Sequence, residues 1–363
     1  MAYNLPVPPP GHRNVTIDLP TTPNSQVPVV QINRLVGPGN QLLVIPTLTT
    51  DNFLMRLAGT TNLYKLDLSC AISGGTPPLF AIVLATCTEL RFVSLERSMD
   101  ALVDDVVFGA VATQQHLVRL LLTARVTITT AQRAVASPLA LLPSIKNLSL
   151  LDLEADAALL LLPNLAALTR LTLRVRGVIS IWDSLRALHH VEHLSIEFVD
   201  RVDLTFAEIS TLFSIVRLRT LRITGTHSTT TSFRHVTALG YRSIFANLRD
   251  LETVELSGRF VDPVVVLGAI GRGCRNVARV SLSGFVSLDR LAAQSQHLVA
   301  FPSLTRLTLG RLVPPAGGDV TTAQKMSQTV TIFRDEMPVL RRANLIIIDN
   351  NTFSDNVKRR VPL

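Results

Sequence analysis

Three sets of residues in this 363-residue chain have side-chain types that could do chemistry. The first is His189-His190-Val191-Glu192-His193. Neutral imidazoles ligate zinc, but a zinc centre needs several converging ligands. No cysteine or carboxylate pair stands nearby to complete the set, and only His193 falls on the outward parity of the strand expected there. The second is Gly268-Ala269-Ile270-Gly271-Arg272-Gly273. A dinucleotide loop must follow a strand and open a helix with Gly-x-Gly-x-x-Gly spacing. These glycines instead close a helical stretch, where a C-terminal cap is the expected role of Gly271 and Gly273. The third is the set Cys70, Cys87 and Cys274, which has neither the number for a disulfide framework nor zinc-site spacing. Cys70 and Cys87 read as small core residues or thiols that satisfy turn carbonyls. No Walker loop, His-Glu-x-x-His helix or Gly-x-Ser-x-Gly elbow occurs. The expectation is a protein that is not an enzyme and carries no cofactor and no metal.

Composition narrows the class. Hydrophobic residues make up 47% and mean hydropathy is +0.35, which excludes a disordered chain and a polar coiled coil. With few aromatics, that apolar content is aliphatic and spread along the sequence. No run approaches the roughly 18 apolar residues of a membrane-spanning helix, so no membrane role is expected. The start lacks a charged segment followed by an apolar one, which argues against secretion and for the cytoplasm or nucleus. The sequons at Asn14, Asn147 and Asn350 are then expected to be unused. A net charge of +8, from 35 basic and 27 acidic residues, permits attraction to acidic partners without establishing it.

The elements that must position these residues are set by a repeat. A hexamer Leu-x-x-Leu-x-Leu, with Val, Ile or Ala allowed, begins at Leu63, Leu90, Leu117, Ile145, Leu168, Val191, Leu218, Leu251, Val277, Leu304 and Leu340. The intervals run from 23 to 36 residues and average about 28. The last two apolar positions alternate with polar ones, the period of a half-buried strand, and the first packs the bend leading in. Between hexamers lie helical segments such as 76–88, 205–216 and 261–274. No strand-plus-helix unit can bury its apolar face alone, so neighbours stack, with parallel strands about 4.8 Å apart as one wall and helices as the other.

The pattern resembles the leucine-rich-repeat family over residues 63–345. Its 26–28-residue spacing is most similar to the ribonuclease-inhibitor-like branch, which includes the repeat region of fungal F-box/LRR proteins. The resemblance implies an α/β solenoid of about eleven repeats, a curved horseshoe with a parallel concave sheet and a mainly helical convex side. The family usually places Asn or Cys just after the strand, and these repeats mostly lack it. Gly225, Gly258, Gly284 and Gly310 stand there instead, able to turn the backbone but offering no side-chain ladder. No recognisable F-box sequence precedes the repeats.

The domain reading follows: residues 1–62 form a proline-rich start and N-terminal cap, 63–345 the repeats, and 346–363 a C-terminal tail. Within the start, 15–19 and 41–45 read as extended capping strands. Two long intervals place insertions after Ile223 and after Leu309, both emerging from one edge where partners can bind. Lys358, Arg359 and Arg360 read as part of a solvated terminus.

The alternation also predicts which side chains the sheet displays. Its basic members are Lys65, Arg119, Arg170, Arg174, Arg222, Arg279, Arg306 and Arg342, against Asp67, Glu96, Glu197 and Glu255. Phe92 and His193 share that face. Arginine's fork suits carboxylates and phosphates, so the expected partner is a protein with an acidic surface. Nucleic acid is disfavoured, because acidic residues interrupt the path and Phe92 is the one aromatic on it. The expected function is a protein–protein interaction module using the concave face for recognition or as a scaffold. The family resemblance implies alternatives: the substrate-recognition component of an F-box-type ubiquitin ligase with its adaptor, or an LRR inhibitor of an enzyme. A basic nucleic-acid-binding solenoid is a further rival.

Overall fold

The computed structural model describes residues 42–44, 49–58, 63–68, 73–137, 139–177, 180–227, 231–287, 290, 301–313, 342–347 and 358–361. The extended segment expected at 15–19, the prolines up to Pro38, Cys70 and most of the insertion after Leu309 lie outside them. The chain divides into two compact units, Met1–Leu168 and Thr169–Leu363.

In the first unit, strands β1 (Leu42–Val44), β3 (Lys65–Asp67), β5 (Phe92–Leu95), β6 (Arg119–Leu122) and β7 (Asn147–Glu154) form a parallel sheet in that order. Helices α1 (Asp51–Leu57), α2 (Pro77–Thr86), α3 (Asp105–Ala112), α4 (Ile128–Val135) and α5 (Ala155–Leu161) alternate with them. A short parallel pair, β2 (Thr49–Thr50) with β4 (Ser73–Gly74), lies apart from the main sheet. Helix starts follow from local chemistry. The Thr50, Asp104 and Thr127 side chains accept hydrogen bonds from the first-turn N–H groups of α1, α3 and α4, caps worth about 1 kcal/mol each. Prolines fill the first positions of α2, where an N–H has no helical partner. Leu66, Val93, Leu120 and Leu148 stand in one register row and are buried. Leu63, Leu90, Leu117 and Ile145, which open the hexamers, are buried in the bends.

Successive helices are tied at their C-terminal ends. The Gln114 amide donates to Leu84 O at 2.7 Å, and the Cys87 thiol lies 4.0 Å from Leu57 O. Burial pushes the Cys87 pKa up to about 11, so the thiol stays protonated. Gln114 is itself buried. Gln114→Leu therefore keeps the volume but removes a donor from a buried carbonyl, and unfolding in urea should show a loss of about 1–3 kcal/mol. The exposed neighbour is the control: Gln115→Leu should stay within about 0.5 kcal/mol of wild type.

In the second unit, β8 (Arg170–Arg176), β9 (His193–Phe198), β11 (Thr220–Gly225), β13 (Thr253–Leu256), β14 (Arg279–Ser287), β15 (Arg306–Val313) and β16 (Arg342–Ile347) run parallel in that order. β17 (Lys358–Val361) adds to β16 antiparallel, so Lys358, Arg359 and Arg360 belong to a strand and not to a free terminus. Helices α6 (Trp182–Leu185), α7 (Phe206–Ile209), α8 (Ala238–Asn247) and α9 (Pro263–Gly273) follow β8, β10 (Val202–Thr205), β12 (Thr231–His235) and β13 along the chain. The expected helix over 205–216 is one α turn, opened by a Thr205/Glu208 capping box, and then a 3-10 stretch, Ser210–Ser214. Ser210, Thr211 and Ser214 hydroxyls each donate to the carbonyl three residues back, which favours the tighter turn.

The long interval after Ile223 is not a plain loop. Its Thr231–His235 forms β12, paired in parallel with β10 (Val202–Thr205). The hexamer repeat gave no sign of this second layer, because β10 and β12 lie between hexamers.

The positions after the strands hold a ladder that composition alone did not reveal. Ser283 accepts a hydrogen bond from the Gly258 N–H at 2.8 Å and donates to Ser257 at 3.0 Å. Hydroxyls thus do part of the work expected of Asn or Cys. At Gly284 and Gly310 the registers of β14 with β15 and of β15 with β16 shift, two bulges in successive strands. Gly284 has φ +113°, and a Cβ on Gly310 would overlap the Gly284 carbonyl oxygen and sit 2.5 Å from its nitrogen.

At eight junctions among the described residues, one carbonyl before a strand accepts two N–H groups from the next repeat. Tyr64 takes Arg91 and Phe92 in the first unit, and Thr169 takes Glu192 and His193 in the second. The strand-and-helix repeat, with its buried leucine rows, is a leucine-rich-repeat fold in both units.

Candidate functional site

Alternation leaves every second strand residue on the face away from the leucine rows, here the open face. In the first unit its leading row is Lys65–Phe92–Arg119–Asn147. Lys65 pairs with Asp67 at 3.1 Å, and Arg119 is half-buried. Phe92 keeps its expected parity but not its expected exposure. It is only 9% accessible, with Tyr64 tilted against it at 5.3 Å between ring centroids. A large apolar ring gains more from covering itself with a neighbouring ring than from standing in water.

In the second unit the leading row is Arg170–His193–Thr220–Thr253–Arg279–Arg306–Arg342. The row beside it is Thr172–Ser195–Arg222–Glu255–Ser281–Thr308–Asn344. A third begins Arg174–Glu197–Thr224. In the last two rows the cations are answered across the strands: Arg222 reaches Glu255 at 3.0 Å, and Arg174 approaches Glu197 at 3.7 Å. In the leading row Arg170, Arg279 and Arg306 are exposed, and among the described residues no carboxylate pairs with them. The backbone of Arg342 holds the next position, its side chain lying outside the described ones.

His193 is half-buried between these groups, its Nδ1 3.0 Å from Thr220 Oγ1. Burial first, and then the Arg170 guanidinium, hold its pKa below the ordinary imidazole range, with Glu192 and Glu252 opposing. The imidazole is therefore neutral near pH 7, and the arginines carry the row's charge. The other two histidines of the cluster stand apart from it: His189 donates to Ser214 O at 3.2 Å in the preceding turn, where His190 is exposed. Among the described residues, no three His, Cys, Asp or Glu side chains gather as a metal would need.

The glycines of 268–273 have a different role from the expected cap. α9 runs through Gly273 and is capped by Cys274 at φ −117°. A Cβ on Gly271 would meet the Phe301 ring at 2.7 Å, and one on Gly273 would meet the Phe245–Ala246 backbone. They are close-approach residues. Cys274 donates to Leu248 O at 3.2 Å, and burial pushes its pKa up to about 12.

Charge is divided unevenly. The second unit has 25 basic and 16 acidic residues, a net +9; the first has 10 and 11, a net −1. Counting charge over the whole chain conceals this.

No protein-family model matches the chain, and no curated protein matches it. Among solved structures, an LRR protein of Leptospira interrogans is similar at 14% identity, covering 88% of each chain with a TM-score of 0.46. A chain of the Rad7 and Elc1 complex in yeast is similar at 16% identity, covering 90% of this chain and 76% of that one, with a TM-score of 0.43. No described helix is long and apolar enough to cross a membrane.

Proposed function

We propose that the chain is a binding module, not a catalyst, and that the open face of the second unit recognises an acidic segment of a protein partner. One observation carries the reading. Arginines in the inner rows are matched by Glu197 and Glu255, whereas Arg170, Arg279 and Arg306 in the leading row have no carboxylate among the described residues. Exposed ion pairs contribute little to stability, so the fold gains little from cations on that row. A partner supplying carboxylates would desolvate the guanidiniums and form forked hydrogen bonds with them.

Affinity capture from source-cell lysate, quantified by mass spectrometry, tests this with wild type beside a folded Arg170→Glu/Arg279→Glu variant. A small set of proteins with acidic segments should fall at least about tenfold with the variant. Identical partner sets would sink the reading. Adaptor or ubiquitin-ligase subunits retained by both proteins would favour the substrate-recognition alternative. A captured enzyme whose activity the chain suppresses would favour the inhibitor alternative.

A further inference from the structure

The arginines of the leading row are not evenly spread. Arg279, Arg306 and Arg342 occupy one register position on three successive parallel strands, so their Cα atoms step across the sheet at about 4.8 Å. Like charges at facing strand positions destabilise a sheet. In the rows beside this one a neighbour relieves the arginine, as Glu255 does for Arg222 and Glu197 for Arg174. Here none does. Residues 278–281, 305–308 and 342–344 contain no Asp or Glu, and the row beside the arginines is Ser281–Thr308–Asn344. β17 then sets Arg360 at the register position beside Asn344.

We propose that this ladder, β14 to β16, binds the phosphoryl group of a phosphoserine or phosphothreonine on the protein partner. The inference rests on the acidic-partner reading and sharpens it. A carboxylate has one charge and two oxygens, which a single guanidinium fork satisfies. A phosphomonoester carries about −1.5 to −2 and three acceptor oxygens. It can therefore engage the forks of Arg279 and Arg306 on adjacent strands and cancel the repulsion between them. Ser281 and Thr308 bring hydroxyl groups to the adjoining row. A phosphodiester backbone fits less well, because the outward rows of this unit from Arg170 to Asn344 contain no Phe, Tyr or Trp on which bases could stack, and the one imidazole, His193, is half-buried against Thr220.

Fluorescence anisotropy of the full chain tests the ladder with a fluorescein-labelled pool of nine-residue peptides. The centre is fixed as phosphoserine, serine or aspartate, and the flanks are randomised. The phosphoserine pool should bind about tenfold more tightly than the serine pool. Arg279→Gln/Arg306→Gln should reduce that advantage to about twofold or less. Arg242→Gln/Arg272→Gln removes the same charge from exposed positions on α8 and α9, and should leave it unchanged. If the double glutamine variant does not fold, Arg279→Lys/Arg306→Lys keeps the charge but not the fork and should lose several-fold.

Equal binding of the aspartate and phosphoserine pools would overturn the phosphoryl assignment while leaving the acidic-partner reading in place. Equal losses in the ladder and helix variants would reduce the effect to bulk charge and overturn it as well. So would tighter binding of a nine-nucleotide single-stranded DNA than of the phosphoserine pool. Failure of every pool, with lysate partners still lost from Arg170→Glu/Arg279→Glu, would remove the ladder alone. Identical lysate partner sets would instead remove the reading beneath it.

Discussion

Leu221→Ala lowers the free energy of unfolding by about 2–5 kcal/mol, while Arg222→Ala, one residue along, changes it by no more than about 1 kcal/mol. Leu221 is 1% exposed and stands in register between Leu194 and Val254, both fully buried. Truncation there opens a cavity that the neighbouring strands hold open. Arg222 is exposed and its contact is the ion pair with Glu255. Urea denaturation followed by circular dichroism measures both. The contrast tests strand parity itself, since a one-residue slip would exchange the two effects. If Arg222→Ala proved the costlier change, the assignment of the open face, and every binding variant built on it, would be wrong.

The second large effect is at a glycine. Gly310→Ala should destabilise by about 1–3 kcal/mol or more, because the atoms that a Cβ would strike are the backbone of Gly284 and cannot rotate away. Gly284→Ala should also be costly, for its φ of +113° is one that side-chain-bearing residues rarely adopt. The opposite sign is expected in the first unit. Gly109 sits in α3 with open space around its Cα, so Gly109→Ala should stabilise by about 0.5–1 kcal/mol. Urea midpoints for the three variants decide the matter. A harmless Gly310→Ala would mean that β14 and β15 approach less closely than the two bulges imply.

These two tests also mark what the sequence made legible. Leu221 could be placed in the core and Arg222 outside it before any coordinates, because period-two alternation depends on nothing beyond the strand itself. The same holds for His193 beside Arg170, and for Arg279 and Arg306 on β14 and β15. What escaped depends on contacts between repeats. Arg222 and Glu255 are 33 residues apart, and which face an exposed cation takes does not say which anion will meet it. Phe92 had the right parity, yet its burial comes from Tyr64 in the preceding repeat. The Ser257–Ser283 ladder and the close approach at Gly271 and Gly273 arise in the same way. The β10–β12 pair was hidden because both strands fall where the hexamer is silent. Residues 231–235 could be recognised as an insertion, but not as a strand.

The carbonyl that accepts two N–H groups at eight of the described repeat junctions is a main-chain device, and it recurs with different side chains around it: Tyr64, Arg91 and Val118 in one unit, Thr169, Glu192, Arg219, Glu252 and Ala278 in the other. Since no particular side chain makes the joint, one repeat can follow another wherever a buried leucine row continues. Length thereby becomes an inheritable variable. A duplicated or deleted segment of about 27 residues brings its own coupling with it, and the surface can be widened or narrowed by whole strands without redesigning the joints between them.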